Sequence, residues 1–386
     1  MSAAPLPTED PAWLSGTGLR TPFVVVHAER LRANIERIAE LGRRHRLLVR
    51  PHAKTHKCPE IARLQVEAGA VGITVAKPGE ALVFLRAGIP SVTLAYPVID
   101  SGVVRELLEA AATHDAELLF VIDSEAGLLA LRQAAAGRTR PVGVFLEVDV
   151  GLRRCGVAPG SPLLCALAGA AARTDGVRFA GLLSHAGHAY GAGTPEGVVA
   201  VAESERLAML EAARTLRASG VEVPTLSVGS TPTVCLARDF QGVDEIRPGN
   251  YVFFDRTAMR LGAAREQDIA LAVFATVVSV NDTWCIIDAG SKSLSSDLGP
   301  HGTGGDMGHG EAHAFASLDP GPWRVAKLSE EHGFVPHQGR PLPIGTRLMI
   351  VPNHSCPVAN LADALVVLSA DAAPITWAVA ARGKTC

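Results

Sequence analysis

Residues 47–95 read LLVRPHAKTHKCPEIARLQVEAGAVGITVAKPGEALVFLRAGIPSVTLA. Three short apolar runs stand out, at Leu47–Val49, Gly72–Val75 and Val92–Ala95. Between them lie amphipathic stretches rich in Ala, Leu, Glu and Arg, at Cys58–Ala68 and Gly79–Ala87. Strands that alternate with helical patterns mean βαβ units and a parallel sheet. The alternation continues outward. Further strand-like runs fall at Leu118–Ile122, Val142–Val148, Phe179–Leu183, Thr225–Val228 and Asp244–Ile246, and further helical stretches at Val103–Ala112 and Pro195–Ser219. Eight alternations in roughly 210 residues predict an α/β fold of the closed (β/α)8 type, a TIM barrel. An open, doubly wound sheet is the second candidate. The GxGxxG fingerprint expected after one of its early strands is absent.

After about Leu261 the texture changes. Ile269–Val280, Trp284–Asp288 and Arg347–Val351 read as strands without regular helices between them, which predicts a second, β-rich domain. Its middle, Ser291–Ala314, is rich in Gly, Ser and His and reads as a long loop. The expected organisation is an N-terminal arm at 1–20, a barrel at 21–260 and a β-rich domain at 261–386. The run at 22–27 is compatible with a strand of the second domain. A chain of 386 residues suits one large barrel plus a smaller domain and can bury a full core.

Hydrophobic residues make up 48% and charged residues 19%, which excludes a disordered chain. The 36 basic and 39 acidic residues leave a net charge of -3, which gives no support to a nucleic-acid partner. No apolar run approaches the roughly 18 residues of a membrane span. The N-terminus shows no basic segment followed by an apolar one, so no secretory signal is expected. The seven cysteines are scattered without a CxxC pair. That spacing predicts free thiols and a cytoplasmic, reducing setting.

In a barrel, chemistry sits at the C-terminal ends of the strands. The first strand ends in Arg50-Pro51-His52-Ala53-Lys54-Thr55-His56-Lys57. A lysine just after an apolar strand is a candidate Schiff-base nucleophile, although a solvated Lys at a loop start has the same local signature. The fifth strand runs into Glu147–Val157, with Arg154, and the sixth ends in Ser184–Tyr190, with His185 and Tyr190. The seventh ends in Ser227–Thr233, with Gly229, Ser230 and Thr231, and the eighth in Arg247–Tyr251, with Gly249 and Asn250. Glycine lets backbone approach an anion, and N–H groups with Ser/Thr hydroxyls can hold a phosphate. Barrels often bind phosphate at these last two loops. A phosphate cradle and a lysine across one barrel mouth suggest pyridoxal phosphate, which also needs a partner for its ring nitrogen.

The second domain carries Val351-Pro352-Asn353-His354-Ser355-Cys356-Pro357. Read as a strand end, His-x-Cys puts both side chains on one face. Imidazole and thiolate together suit Zn2+, and two protein ligands leave positions open for water or substrate. His301, His309 and His313 form a second metal candidate.

Together RPHAKTHK, DVGLRRCGV, SHAGHAY, SVGSTPT, RPGNYVFFD, IDAG, EEHG and PNHSC resemble the fold-type III pyridoxal phosphate enzymes, more narrowly the D-threonine aldolase / D-serine dehydratase group. The resemblance runs from about Thr21 to the C-terminus. It implies a barrel joined to a β-domain, in a head-to-tail homodimer. It implies that Lys54 forms the internal aldimine and that Arg154 faces the pyridine nitrogen. It further implies that Gly229, Ser230, Thr231, Gly249 and Asn250 hold the phosphate with Tyr251 beside them, that His185 and Tyr190 line the cofactor, and that His354 and Cys356 bind the metal next to a D-amino acid substrate.

Within that group, aldolases tend to carry His-Cys-Asp and use Mn2+ or Mg2+, whereas dehydratases tend to carry His-x-Cys and use Zn2+. His354-Ser355-Cys356 is of the dehydratase type, and a thiolate selects zinc over harder ions. The following Pro357–Leu361 is closer to the aldolases. The implied reaction is elimination of the β-hydroxyl of a D-3-hydroxy amino acid, such as D-serine or D-threo-3-hydroxyaspartate. The alternative is a retro-aldol cleavage to glycine and an aldehyde. Racemases of this fold take a base from a Tyr of the second domain, and the three tyrosines here, Tyr96, Tyr190 and Tyr251, all precede residue 260. A non-catalytic cofactor carrier resembles the barrel alone, and structural zinc normally takes four protein ligands. Arg50, His52, His188, Lys292, Asp288 and His332 are left without a place by the sequence.

Overall fold

The computed structural model describes residues 19–300, 307–315, 321–370 and 372–386. Most of the expected arm, and His301, lie outside the described residues. The chain divides into two compact units. One comprises 36–54, 59–249 and 383–386; the other comprises 1–35, 55–58 and 250–382.

The strand β1 (Phe23–His27) belongs to the second of these. The barrel unit follows with β2 (Leu48–Val49), β3 (Ile73–Val75), β4 (Ser91–Leu94), β5 (Glu117–Ile122), β6 (Val142–Val148), β7 (Val177–Ser184), β8 (Leu226–Val228) and β9 (Glu245–Ile246). All pair in parallel, in the order β2-β9-β8-β7-β6-β5-β4-β3. The two end strands meet through a parallel bridge between His52 and Thr74, and the Thr74 N–H donates to the Pro51 carbonyl at 2.7 Å. The sheet therefore closes into the barrel that the alternation predicts, not the open doubly wound sheet.

Its interior is filled by Leu119, Val121, Phe145, Ala180 and Leu183. Next to Ala180, Gly181 has φ +136°, and a Cβ there would stand 2.0 Å from the Thr225 carbonyl oxygen. Only glycine lets β7 approach this closely to the start of β8. Several strand-to-helix turns end in a side-chain cap: Asp100 before Ser101–Thr113, Ser124 before Glu125–Ala135, Ser161 before Pro162–Arg173 and Thr194 before Pro195–Ala218. Each satisfies N–H groups that the helix start leaves open.

The second unit is built on β10 (Leu271–Val280), β11 (Trp284–Ile287), β12 (Gly310–Ala314), β13 (Trp323–Arg324), β14 (Lys327–Leu328), β15 (Gly333–Pro336), β16 (Arg347–Pro352), β17 (Ala364–Ser369) and β18 (Ala372–Ala378). With β1 they form a mixed sheet whose main path is β13-β12-β16-β10-β1-β17-β18. β1 runs antiparallel to β10 and parallel to β17. Val25, Phe274, Phe315, Met349 and Val366 make its core, with Phe274 stacked on both Phe23 and Phe315.

The reading of 291–314 as one long loop needs correcting. Ser291–Leu294 is a short helix, and Gly310–Ala314 is a strand paired with β16 and β13. Its inward residues are Gly310, Ala312 and Ala314, too small to give an apolar alternation in the sequence.

Candidate active site

A cavity of about 410 Å3 opens among the loops that follow the barrel strands, a size suited to a small molecule. His52 and Lys54 follow β2, Lys77 follows β3, Tyr96 follows β4, Glu147 and Arg154 come from β6 and its loop, His185 follows β7, Gly229 follows β8 and Arg247 follows β9. Seven of the eight strands thus contribute at their C-terminal ends, as barrel active sites do.

Each side chain is placed by local structure. Lys54 sits in the one-turn helix Ala53–Thr55, and its backbone N–H donates to His52 Nδ1 at 3.4 Å. Arg154 lies in a loop tied by Asp149, whose Oδ1 accepts from the N–H groups of Gly151 and Arg153 at 3.0 and 2.9 Å. The loop turns back on its own strand, with the Val157 N–H donating to the Glu147 carbonyl at 2.8 Å. Arg247 donates to the Ser184 carbonyl and to Ser227 Oγ. Gly229 has φ +105°, and a Cβ there would meet Val234 Cγ2 at 2.6 Å. Its N–H donates to Glu205 Oε1 at 3.1 Å.

Cations dominate the cavity wall. Burial, reinforced by the charge of Lys54, holds both His52 and His185 well below the ordinary histidine range. Both rings are therefore neutral at pH 7. Burial raises the Glu147 carboxyl, while Arg154 and Arg247 oppose that rise. Cys155 donates to Glu147 at 3.2 Å, and burial with that neighbouring carboxylate pushes its thiol up to about 11. Cys155 is thus an inert thiol at neutral pH. Lys77 places its ammonium 3.8 Å from the Tyr96 ring centroid.

Of the expected cofactor residues, Lys54, Arg154, His185 and Gly229 line this one cavity. Ser230 and Thr231 are buried beside Gly229, and Thr231 Oγ1 accepts from the Gly249 N–H at 3.1 Å, which links the two glycine loops. Tyr190 lies on the turn Gly187–Gly191, half-buried, and is not part of the cavity wall. Asn250 and Tyr251 fall in the other unit. There the Asn250 amide donates to Asp255 at 2.6 Å and accepts from Ser355 Oγ, and Tyr251 is fully buried.

The sequence reading missed Arg247, Lys77, Tyr96 and Glu147 as wall residues. Arg247 and Lys77 could have been found by the rule that singled out Lys54, since each lies within two residues of a strand end. The unplaced residues also find partners. Arg50 makes a buried ion pair with Glu245 at 2.8 Å, and Lys292 is exposed beside Glu330 and Glu331. Asp288 accepts from Thr21 Oγ1 and the Thr276 N–H. His188 is half-buried and its Nδ1 has no hydrogen-bond partner among the described residues, and His332 lies in an exposed turn.

In the other unit, His354 follows β16 and precedes the helix Ser355–Leu361. The one-face strand argument for His-x-Cys therefore fails: His354 is extended, but Cys356 is already helical. The chain turns at Ser355, whose N–H donates to Asp255 Oδ2 at 3.0 Å, and Pro357 is tolerated in a first helical turn. The two side chains still lie close enough to interact electrostatically. His354 Nδ1 lies 2.8 Å from Asp297 Oδ2, and Cys356 Sγ donates to Thr55 Oγ1 at 3.3 Å. Burial pulls the His354 ring down, but Cys356, Asp297 and Asp255 outweigh it and lift the ring to about 10. Asp297 was not anticipated; it lies in the segment read as a loop. Among the described residues no group of three or more His, Cys, Asp or Glu gathers as a metal cluster, and His313 instead faces Glu311 at 3.2 Å.

Comparison with known proteins places the whole chain. The alanine racemase N-terminal domain matches residues 26–257. The chain belongs to that family. A putative serine dehydratase domain matches residues 270–368. D-threo-3-hydroxyaspartate dehydratase of Delftia sp. (strain HT23) is 34% identical, over 93% of this chain and 97% of its own length. The solved structure of that enzyme superimposes with a TM-score of 0.85, covering 94% of this chain and 97% of its own, and a variant of it has been solved in a metal-free form. D-threonine aldolase of Arthrobacter sp is 33% identical, over 94% of this chain and 93% of its own. D-serine dehydratase of Dictyostelium discoideum is 30% identical, over 92% and 94%. Dehydratases and aldolases are both lyases, so this family member is an enzyme of that broad class.

Proposed function

We propose that the protein is a pyridoxal phosphate- and zinc-dependent dehydratase. It would convert a D-3-hydroxy amino acid, such as D-serine or D-threo-3-hydroxyaspartate, into a 2-oxo acid and ammonia. The observation that carries the reading is the pairing of His354 and Cys356 at the start of one short helix, close enough to interact electrostatically. A thiol in that position suits zinc and disfavours manganese or magnesium. The D-threo-3-hydroxyaspartate dehydratase relative, with a variant described as metal-free, supports a dehydratase that uses a metal ion.

The residues fit both groups. Lys54 offers an amine in a cavity of cofactor size, and Arg154 and Arg247 offer cationic partners for a pyridine nitrogen. A guanidinium does not give up its proton, so a ring nitrogen facing one stays unprotonated. Ser230, Thr231 and Gly249 would hold the phosphate, on two loops joined by the Gly249–Thr231 hydrogen bond, where Gly229 keeps the first loop free of a Cβ. Tyr190 would stand near it. His354 and Cys356 would hold the ion, with two or more positions left open.

When bound, the cofactor supplies an electron sink at the α-carbon, and the ion supplies positive charge for the departing hydroxide, whose conjugate acid has a pKa of about 15.7. The free amine of Lys54 takes the α-proton. The neutral rings of His52 and His185 add hydrogen-bonding capacity without adding charge. We further propose a homodimer and a cytoplasmic setting, which the seven free thiols fit. No helix among the described residues is long and apolar enough to cross a membrane.

A D-threonine aldolase, with Mn2+ or Mg2+, is the second reading; the 33% identical aldolase favours it. Metal removal tests the proposal. Chelation, and separately Cys356→Ala, should cut elimination at least 100-fold while cofactor absorbance persists, and Zn2+ should restore the chelated wild type. Full elimination by the metal-free enzyme would contradict the zinc role.

A further inference from the structure

We propose that Asp297 is the positioning carboxylate of the metal pair, fixing the ring and tautomer of His354 so that its Nε2 is the coordinating atom. The inference rests on the reading of His354 as a metal ligand. Its Nδ1 is 2.8 Å from Asp297 Oδ2. A ring that holds a metal is neutral, so one nitrogen carries the proton and the other gives its lone pair to the ion. A carboxylate accepts only, so Nδ1 must carry the proton and Nε2 the lone pair. Ligating histidines are generally oriented in this way by a carboxylate or a carbonyl.

Asp297 is built in from several sides. Its other oxygen, Oδ1, accepts from the Gly299 N–H at 2.9 Å, and its own N–H donates to Ser295 Oγ at 3.1 Å. The buried Asn353, one residue before His354, donates its amide to the Leu298 carbonyl at 3.1 Å and to that of Gly308 at 2.7 Å. The loop bearing the carboxylate and the strand end bearing the ring are thus held to each other. Two donors, Gly299 N–H and His354 Nδ1–H, converge on one side chain. A carboxylate satisfies both. A carboxamide has one acceptor oxygen, so its NH2 would have to face one of the donors. The site therefore calls for Asp rather than Asn.

The test is Zn2+ affinity of the cofactor-loaded enzyme, by competition with a chromophoric chelator, in wild type, Asp297→Ala, Asp297→Asn and His354→Ala. The visible spectrum of Co2+-substituted protein gives a second readout of ligand geometry, and cofactor absorbance reports that each variant is folded. Asp297→Ala and Asp297→Asn should each weaken zinc binding by roughly 10- to 100-fold, with a shifted Co2+ spectrum. Wild-type affinity and spectrum in both Asp297 variants, with binding lost in His354→Ala, would overturn the role of Asp297 alone. Unchanged binding in His354→Ala would overturn the metal assignment and this inference together.

Discussion

At Lys54 a one-turn helix places a primary amine in a cavity whose neighbouring imidazoles, His52 and His185, are held neutral. Lys54→Ala should abolish the absorbance band of the lysine-bound cofactor and the activity with it; an unchanged band would exclude this lysine. The histidines give a pH prediction. Burial, with the charge of Lys54, sets their folded pKa below the unfolded value of about 6.5. Below that pH the unfolded chain takes up protons that the folded protein refuses, so stability falls with acidification. His52→Gln should remove one such group. Denaturant unfolding at pH 6.5 and 5.5 should show a smaller acid-side loss in the variant, by up to about 1 kcal/mol. Equal losses in the two proteins would contradict the shift.

At the scale of elements, the barrel is held from inside by polar as well as apolar contacts. Arg50, after β2, donates from Nε to Glu245 of β9 at 2.8 Å, and Glu245 also accepts from Ser227 of β8 at 2.5 Å. Both partners of the ion pair are almost fully buried. Removing one charge leaves the other buried and uncompensated, which costs about 3–5 kcal/mol. Glu245→Gln should lose stability on that scale in denaturant titrations, and a loss under 1 kcal/mol would show that the pair is not structurally important. The elements themselves were legible to differing degrees. The barrel strands announce themselves as β-branched runs with helical stretches between them; Gly72–Val75 differs from the observed β3 by one residue at its start, and Val92–Ala95 from β4 by one residue at each end. β12 was hidden because its inward positions are Gly and Ala. The helix at Ser355 was hidden because Asp255, 100 residues earlier, accepts its first N–H.

For the whole molecule, the barrel-plus-sheet architecture follows from patterns within each segment, and the family confirms it. The site is another matter. Lys54 and Arg154 could be read because they follow strands of a recognisable barrel and lie in motifs with a family resemblance. Asp297 could not, because only the fold brings it to His354 from 57 residues away. Nor does overall identity distinguish the two lyase reactions, since dehydratases and an aldolase resemble this chain at 30–34%. The central claim is elimination, and product analysis tests it most directly. Purified enzyme loaded with pyridoxal phosphate and Zn2+ would be given D-serine, D-threonine and D-threo-3-hydroxyaspartate separately. Ammonia with the matching 2-oxo acid is the predicted result; glycine with an aldehyde would contradict it and make the enzyme an aldolase.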